Sequence, residues 1–190
     1  MVVHMLQTQL LSYLEYWRHK MAMTLIQRIN VTTSSNLAYT FSNIPQTYVD
    51  LLLINTMQSA GTNSDVMTLA FNGDTTMANY DTMLWRYTQG VGTDGTWVGD
   101  NNFSSLSLGQ TSFSSFAGGT TIYIPNYTNS STAKIANCKT GTATNTSVSH
   151  SQVGIYGVQW TGTSAITSIT LSGYGLYPTS NSTISLYGIS

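Results

Sequence analysis

Charge is what this chain has least of. Of 190 residues, 7% are Asp, Glu, Lys or Arg, against about 25% in an ordinary soluble domain. Six Lys+Arg face seven Asp+Glu, for a formal net charge of −1. There is therefore no basic stripe to displace counterions from a phosphate backbone, which excludes nucleic acid as a partner. The single cysteine, Cys138, excludes an internal disulfide framework and any multi-cysteine zinc site. Its plain reading is a small buried hydrophobe. No apolar run approaches the ~20 residues of a membrane-spanning helix, so no membrane insertion is expected. Disorder is excluded as well: 41% of residues are hydrophobic, with 12 Tyr, 4 Trp and 5 Phe among them, too much apolar material for an unfolded chain.

Uncharged polar residues fill the gap. The sequence holds 24 Ser, 30 Thr, 14 Asn and 16 Gly. Its length suits one domain with a short appendage. The composition changes near residue 23. Before it, Leu6, Leu10, Leu14, Trp17 and Met21 recur at spacings of three and four, which predicts one apolar stripe on an α-helix. This segment is not patterned as a secretory signal, because Glu15, Arg18 and His19 interrupt its apolar residues. Two readings stand for residues 1–23. The helix docks through Leu6, Leu10, Leu14 and Trp17 on another chain or on the sandwich, or Met21 or Met23 is the natural start.

From Thr24 to Ser190 the period is two. Met67, Leu69 and Phe71 alternate with Val66, Thr68 and Ala70, and Ile184 and Leu186 oppose Thr183, Ser185 and Tyr187. Val, Ile, Thr and Tyr suit a pleated, half-buried surface. Strands are expected at about 25–32, 37–42, 48–57, 66–72, 82–88, 104–109, 120–127, 133–139, 152–160, 165–172 and 182–189. Turn signals such as Asn72-Gly73-Asp74 and Asn129-Ser130-Ser131 separate them. The fold class is all-β: an antiparallel two-sheet β-sandwich, jelly-roll-like, over residues 24–190. One strand breaks the alternation, with Leu51, Leu52, Leu53 and Ile54 in succession. Both its faces want burial, so it is expected either centrally placed under cover on both sides or at a subunit interface through Leu52 and Ile54. With few Lys and Glu to guard sheet edges, association is favoured, and a homo-oligomer, expected as a trimer, removes the hazard.

Chemistry is sparse. Gly90-Val91-Gly92-Thr93-Asp94-Gly95 has the G-x-G-x-x-G spacing, but turn-like residues follow where a dinucleotide site needs a helix. A long glycine-rich loop is the better reading, and no cofactor is expected. His4 and His19 lie in the N-terminal segment, leaving His150, and no G-x-S-x-G elbow is present. Glycoside hydrolysis needs two placed carboxyl groups; Asp74 and Asp81 are the only pair in view, and they carry a polysaccharide-hydrolase reading of their own. Asp94, Asp100 and Asn102 supply oxygen atoms in one loop but lack the spaced ladder of a calcium site, so no metal is expected. Tyr80, Trp85, Tyr87 and Trp97 fall close together around that loop. Trp85 and Tyr87 share a strand face and are read first as core, while Trp97, Tyr87, Tyr80 and Asp94 form a candidate contact with a host-surface glycan, by stacking on sugar rings.

Several segments have a familiar order. Phe41-Ser42-Asn43-Ile44-Pro45-Gln46-Thr47-Tyr48, followed by Val49-Asp50-Leu51, resembles the F-x-x-I-P-Q-T-Y-x-D-L opening of a family of small tailed-bacteriophage virion proteins. Leu69-Ala70-Phe71-Asn72-Gly73-Asp74-Thr75, Ile124-Pro125-Asn126-Tyr127 with Lys134, and the closing Ser185-Leu186-Tyr187-Gly188-Ile189 extend the likeness over about residues 24–190. The resemblance implies a place in a particle as a head-decoration or fibre component beside other capsid or tail proteins. It carries over no catalytic or metal-binding residue. The expectation is therefore a non-enzymatic virion structural protein made in the host cytoplasm, with a receptor-binding, carbohydrate-binding tip as the alternative.

Overall fold

The computed structural model describes residues 22–32, 38–58, 66–88, 92–94, 118–142, 152–174 and 178–190. The expected helix with Leu10, Leu14 and Trp17, and the expected strand at 104–109, lie outside them. Among the described residues eleven strands run in chain order: β1 (Met23–Asn30), β2 (Tyr39–Phe41), β3 (Asp50–Met57), β4 (Val66–Phe71), β5 (Tyr80–Thr88), β6 (Gly92–Asp94), β7 (Gly118–Ile124), β8 (Lys134–Thr142), β9 (Gln152–Trp160), β10 (Ile169–Tyr174) and β11 (Thr183–Ile189). A 3-10 turn at Met77–Asn79 precedes β5. The glycine-rich loop is shorter than its sequence reads, because Gly92–Asp94 adds an edge strand by pairing with Arg86–Thr88. The residues after Asp94, where a dinucleotide site would need a helix, lie outside the described residues.

The strands form two antiparallel sheets, one of eight in the order β1-β11-β3-β7-β8-β9-β5-β6 and one of three in the order β2-β10-β4. The first four strands alternate between sheets. The last two then return to insert between them, β10 between β2 and β4, β11 between β1 and β3. That interleaving is the jelly-roll pattern. It departs from a plain jelly roll at β5 to β9, which all stay in the larger sheet.

Alternation decides what is buried. In β7 and β8 every second residue is buried, so Ile122, Ile124, Ala136 and Cys138 enter the core while Thr121, Tyr123, Ile135 and Asn137 face out. The smaller sheet answers with Phe41, Leu69, Phe71, Ile169 and Leu171. These meet as one cluster between the layers. The double-faced strand β3 is central, flanked by β11 and β7. Leu51 and Leu53 are buried, but Leu52 and Ile54 on the other face are only half covered. The expected cover on both sides is therefore partial, supplied along the sheet by Tyr187 and Tyr123, the neighbours of Leu52.

Where β11 passes Tyr48, Gly188 makes room: an added Cβ would sit inside the tyrosine ring. Gly188→Ala is expected to lower unfolding free energy by about 1–3 kcal/mol. Gly119→Ala, with nothing within 4 Å of the new carbon, should stay within about 0.5 kcal/mol. Urea denaturation of the two variants checks the contrast.

Candidate functional site

The family-like residues are spent on the fold. After β4, Asn72 and Gly73 have φ of 53° and 72°, and the Asp74 amide returns to the Phe71 carbonyl at 2.9 Å. Two positive φ values in succession mark a type I′ turn, a conformation that Asn and Gly tolerate. The Asn72 side chain donates to the Ala165 carbonyl at 2.9 Å and accepts from the Thr167 amide at 2.8 Å. The Asp74 carboxylate accepts from the Thr76 amide, the Asn79 side chain and the Trp160 indole at 3.0, 2.8 and 2.8 Å. Those donors, Trp160 first, hold its pKa down at about 2. Tyr80 lies beneath, its hydroxyl accepting from the Phe71 amide and donating to the Asp74 carbonyl. Burial pushes this phenol up to about 12.

The opening motif behaves alike. Phe41 and Ile44 are core residues, Gln46 bridges the Ile44 and Ile166 carbonyls, and the Pro45 carbonyl accepts from Tyr127. Asp50 accepts from the Tyr123 hydroxyl at 2.6 Å and the Asn126 amide at 2.8 Å, and the first of these raises the Tyr123 pKa. Lys134 is buried, its ammonium donating to the Thr132 and Thr163 carbonyls at 2.7 and 2.9 Å. Burial lowers its pKa. These groups brace chain segments.

Unspent residues gather on the outer face of the eight-stranded sheet. Because Tyr80 points inward, Asp81, Met83, Trp85 and Tyr87 point out. Across the ladder Trp85 pairs with Ile155, Tyr87 with Val153 and Met83 with Gly157. Met83, Trp85, Tyr87, Val153 and Ile155 are 62, 49, 45, 57 and 52% exposed. Together they form a contiguous, mostly apolar patch on the order of 500 Å², towards the upper end for a monomeric protein. Polar groups border it: Lys139 beside Ile155, Asn137 beside Gly157, and Gln159 beside Asp81. Three outer-face glycines, Gly119, Gly141 and Gly157, have open space above them.

This placement corrects two expectations. Trp85 and Tyr87 do not fill the core; β5 sends Tyr80, Thr82 and Leu84 inward instead. Tyr80 is 1% exposed and holds the turn, so it makes no contact with a glycan. Tyr87 remains a surface aromatic, joined by Trp85. The backbone of Asp94 lies in β6, whereas Trp97, Asp100, Asn102 and His150 lie outside the described residues. Leu52 and Ile54 share the outer face with Trp85 but sit nearer β1. Asp74 and Asp81 do not converge: the first turns to the buried Trp160, the second faces out. Among the described residues no three His, Cys, Asp or Glu are grouped to hold a metal. Cys138 is fully buried, and burial raises its thiol to about 12, the inert thiol its sequence context implied.

No protein-family model and no curated protein sequence matches the chain. Solved structures overlay it with low similarity. The alginate lyase Aly36B shows 10% identity and a TM-score of 0.30, covering 85% of this chain and 78% of its own. The metal-free carbohydrate recognition domain of Emp46p shows 15% identity and a TM-score of 0.29, covering 82% of this chain and 88% of its own. At such scores neither bears on what this chain does.

The turn carboxylate gives a pH signature. A folded pKa of about 2 against the ordinary 3.8 means that Asp74 adds stability fully present above pH 3.8 and lost as pH falls towards 2. Thermal unfolding is expected to shift down across that window, and Asp74→Asn to flatten this part of the profile while lowering the midpoint at pH 7.

Proposed function

We propose that this protein is a non-enzymatic structural component of a tailed-phage particle, a decoration or fibre subunit that works by assembling with copies of itself and with other virion proteins. The observation that carries the reading is the exposed outer face of β5 and β9. A chain with 7% charged residues has little else to keep such a surface from association. The family-like segments support it from the other side: Ile44, Gln46, Asp50, Asn72, Asp74 and Lys134 all serve the fold, as befits a building block. Proteomic mass spectrometry of purified particles, with antibody labelling in cryo-electron microscopy, is expected to find the protein on the virion. Its absence from washed particles overturns the reading.

Trp85 and Tyr87 favour a second reading, a receptor-binding tip. They stand two residues apart on one face, with Lys139 one strand beyond Ile155, the partner of Trp85, and Asn137, Gln159 and Asp81 farther along the same face. Aromatic faces stack on sugar C–H groups while amides and carboxylates bond the hydroxyls. On this reading a glycan array shows binding to host-envelope saccharides, and Trp85→Ala lowers affinity about tenfold or more. Binding unchanged by Trp85→Ala, or none at all, removes it.

A further inference from the structure

We infer that the outer face of β5 and β9 is covered by a second copy of this chain, related by a two-fold axis that passes over Gly157. The inference deepens the assembly reading by naming the surface and the partner. Area is the first argument. With Tyr123 and Ile135 beyond Asn137 and Gln159 on the same face, 36 and 50% exposed, these residues leave on the order of 700 Å² accessible, close to what one partner contributes to a stable interface. A surface of that size and composition matches an identical surface better than it matches a small ligand.

Charge complementarity is the second argument, and it places the axis. Lys139 and Asp81 are both exposed. On β9, Lys139 is registered with Ile155 and Asp81 with Gln159. Midway between those two positions is Gly157, with no atom within 4 Å of where its Cβ would be. On an ideal sheet the two charges stand roughly 16 Å apart, on opposite sides of that glycine. A two-fold axis lying in the face over Gly157, along the perpendicular bisector of that line, lays each Lys139 on the partner's Asp81. It makes two symmetry-equivalent ion pairs from one. The same operation sets the Met83–Trp85 ridge of one copy against that of the other, and Gly157 gives clearance where the copies come nearest. Isologous contacts require such self-complementarity.

Sedimentation equilibrium of the full chain tests this. The wild-type protein is expected to be a dimer. Lys139→Asp and Asp81→Lys, both at exposed positions, should each weaken dimerisation about tenfold or more. The double swap, Lys139→Asp with Asp81→Lys, should restore it to within about threefold. Trp85→Asp should give a monomer whose far-UV circular dichroism is that of the wild type. A wild-type monomer at the highest soluble concentration overturns the inference, as does a closed trimer, or a dimer indifferent to all four variants. Single swaps that weaken association without rescue by the double overturn the axis position. A monomer found on particles removes this face but not the virion reading; a dimer absent from particles removes the virion reading but not this face.

Discussion

The phase of β5 is the constraint on which the surface of this protein depends. A strand shows one set of side chains or the other to solvent, and a slip of one residue exchanges them. Here the choice is made before the strand begins. The chain leaves the small sheet through the Asn72-Gly73 turn, and the hydroxyl of Tyr80 is caught between the Phe71 amide and the Asp74 carbonyl. With Tyr80 held inward against Phe71, at a ring separation of 6.4 Å, Met83, Trp85 and Tyr87 have no direction but outward. The Asp74 carboxylate closes the arrangement by binding the Trp160 indole, whose residue pairs with Tyr80 across the ladder. A buried brace thus sets the chemistry of an exposed face.

This explains why some of the molecule was legible in its sequence and some was not. β7 and β8 alternate strictly in burial, and Ile122, Ile124, Ala136 and Cys138 lie inside as their chemistry suggests, although Thr120, Lys134 and Thr140 share that inner face and Tyr123 and Ile135 lie outside. The positive φ at Gly73 was equally readable, because few residues other than Gly and Asn accept it. β5 is different. Leu84 lies inside and Trp85 outside, so both its faces carry apolar residues and period two cannot choose between them. The choice comes from tertiary hydrogen bonds of Tyr80, which local pattern does not encode. The short strand β6 was hidden for a similar reason: Gly92-Thr93-Asp94 has no hydrophobic signal and is a strand only because Arg86–Thr88 offers it a ladder. The jelly-roll order, by contrast, follows from many short strands that must share one core.

The polar residues of the turns and of the family-like segments serve as carpentry. Asn72, Asp74, Asn129 and Asp50 each satisfy backbone amides in turns or connections, where an unpaired amide would be costly. A charge-poor chain needs such devices. With only 7% of its residues charged, it fixes its loops with side-chain amides and carboxylates placed beside the backbone. The outer sheet face lies beyond their reach, and there the aromatic and aliphatic residues remain uncommitted.

Sealing the only thiol in the middle of β8 has a practical side. Cys138 faces the core, with no surface exposure, and the chain contains no other cysteine. A thiol reagent therefore reports only those moments when the two layers part, and its rate of labelling is a clock for opening of the sandwich. The same silence lets a cysteine placed anywhere on the surface be labelled alone.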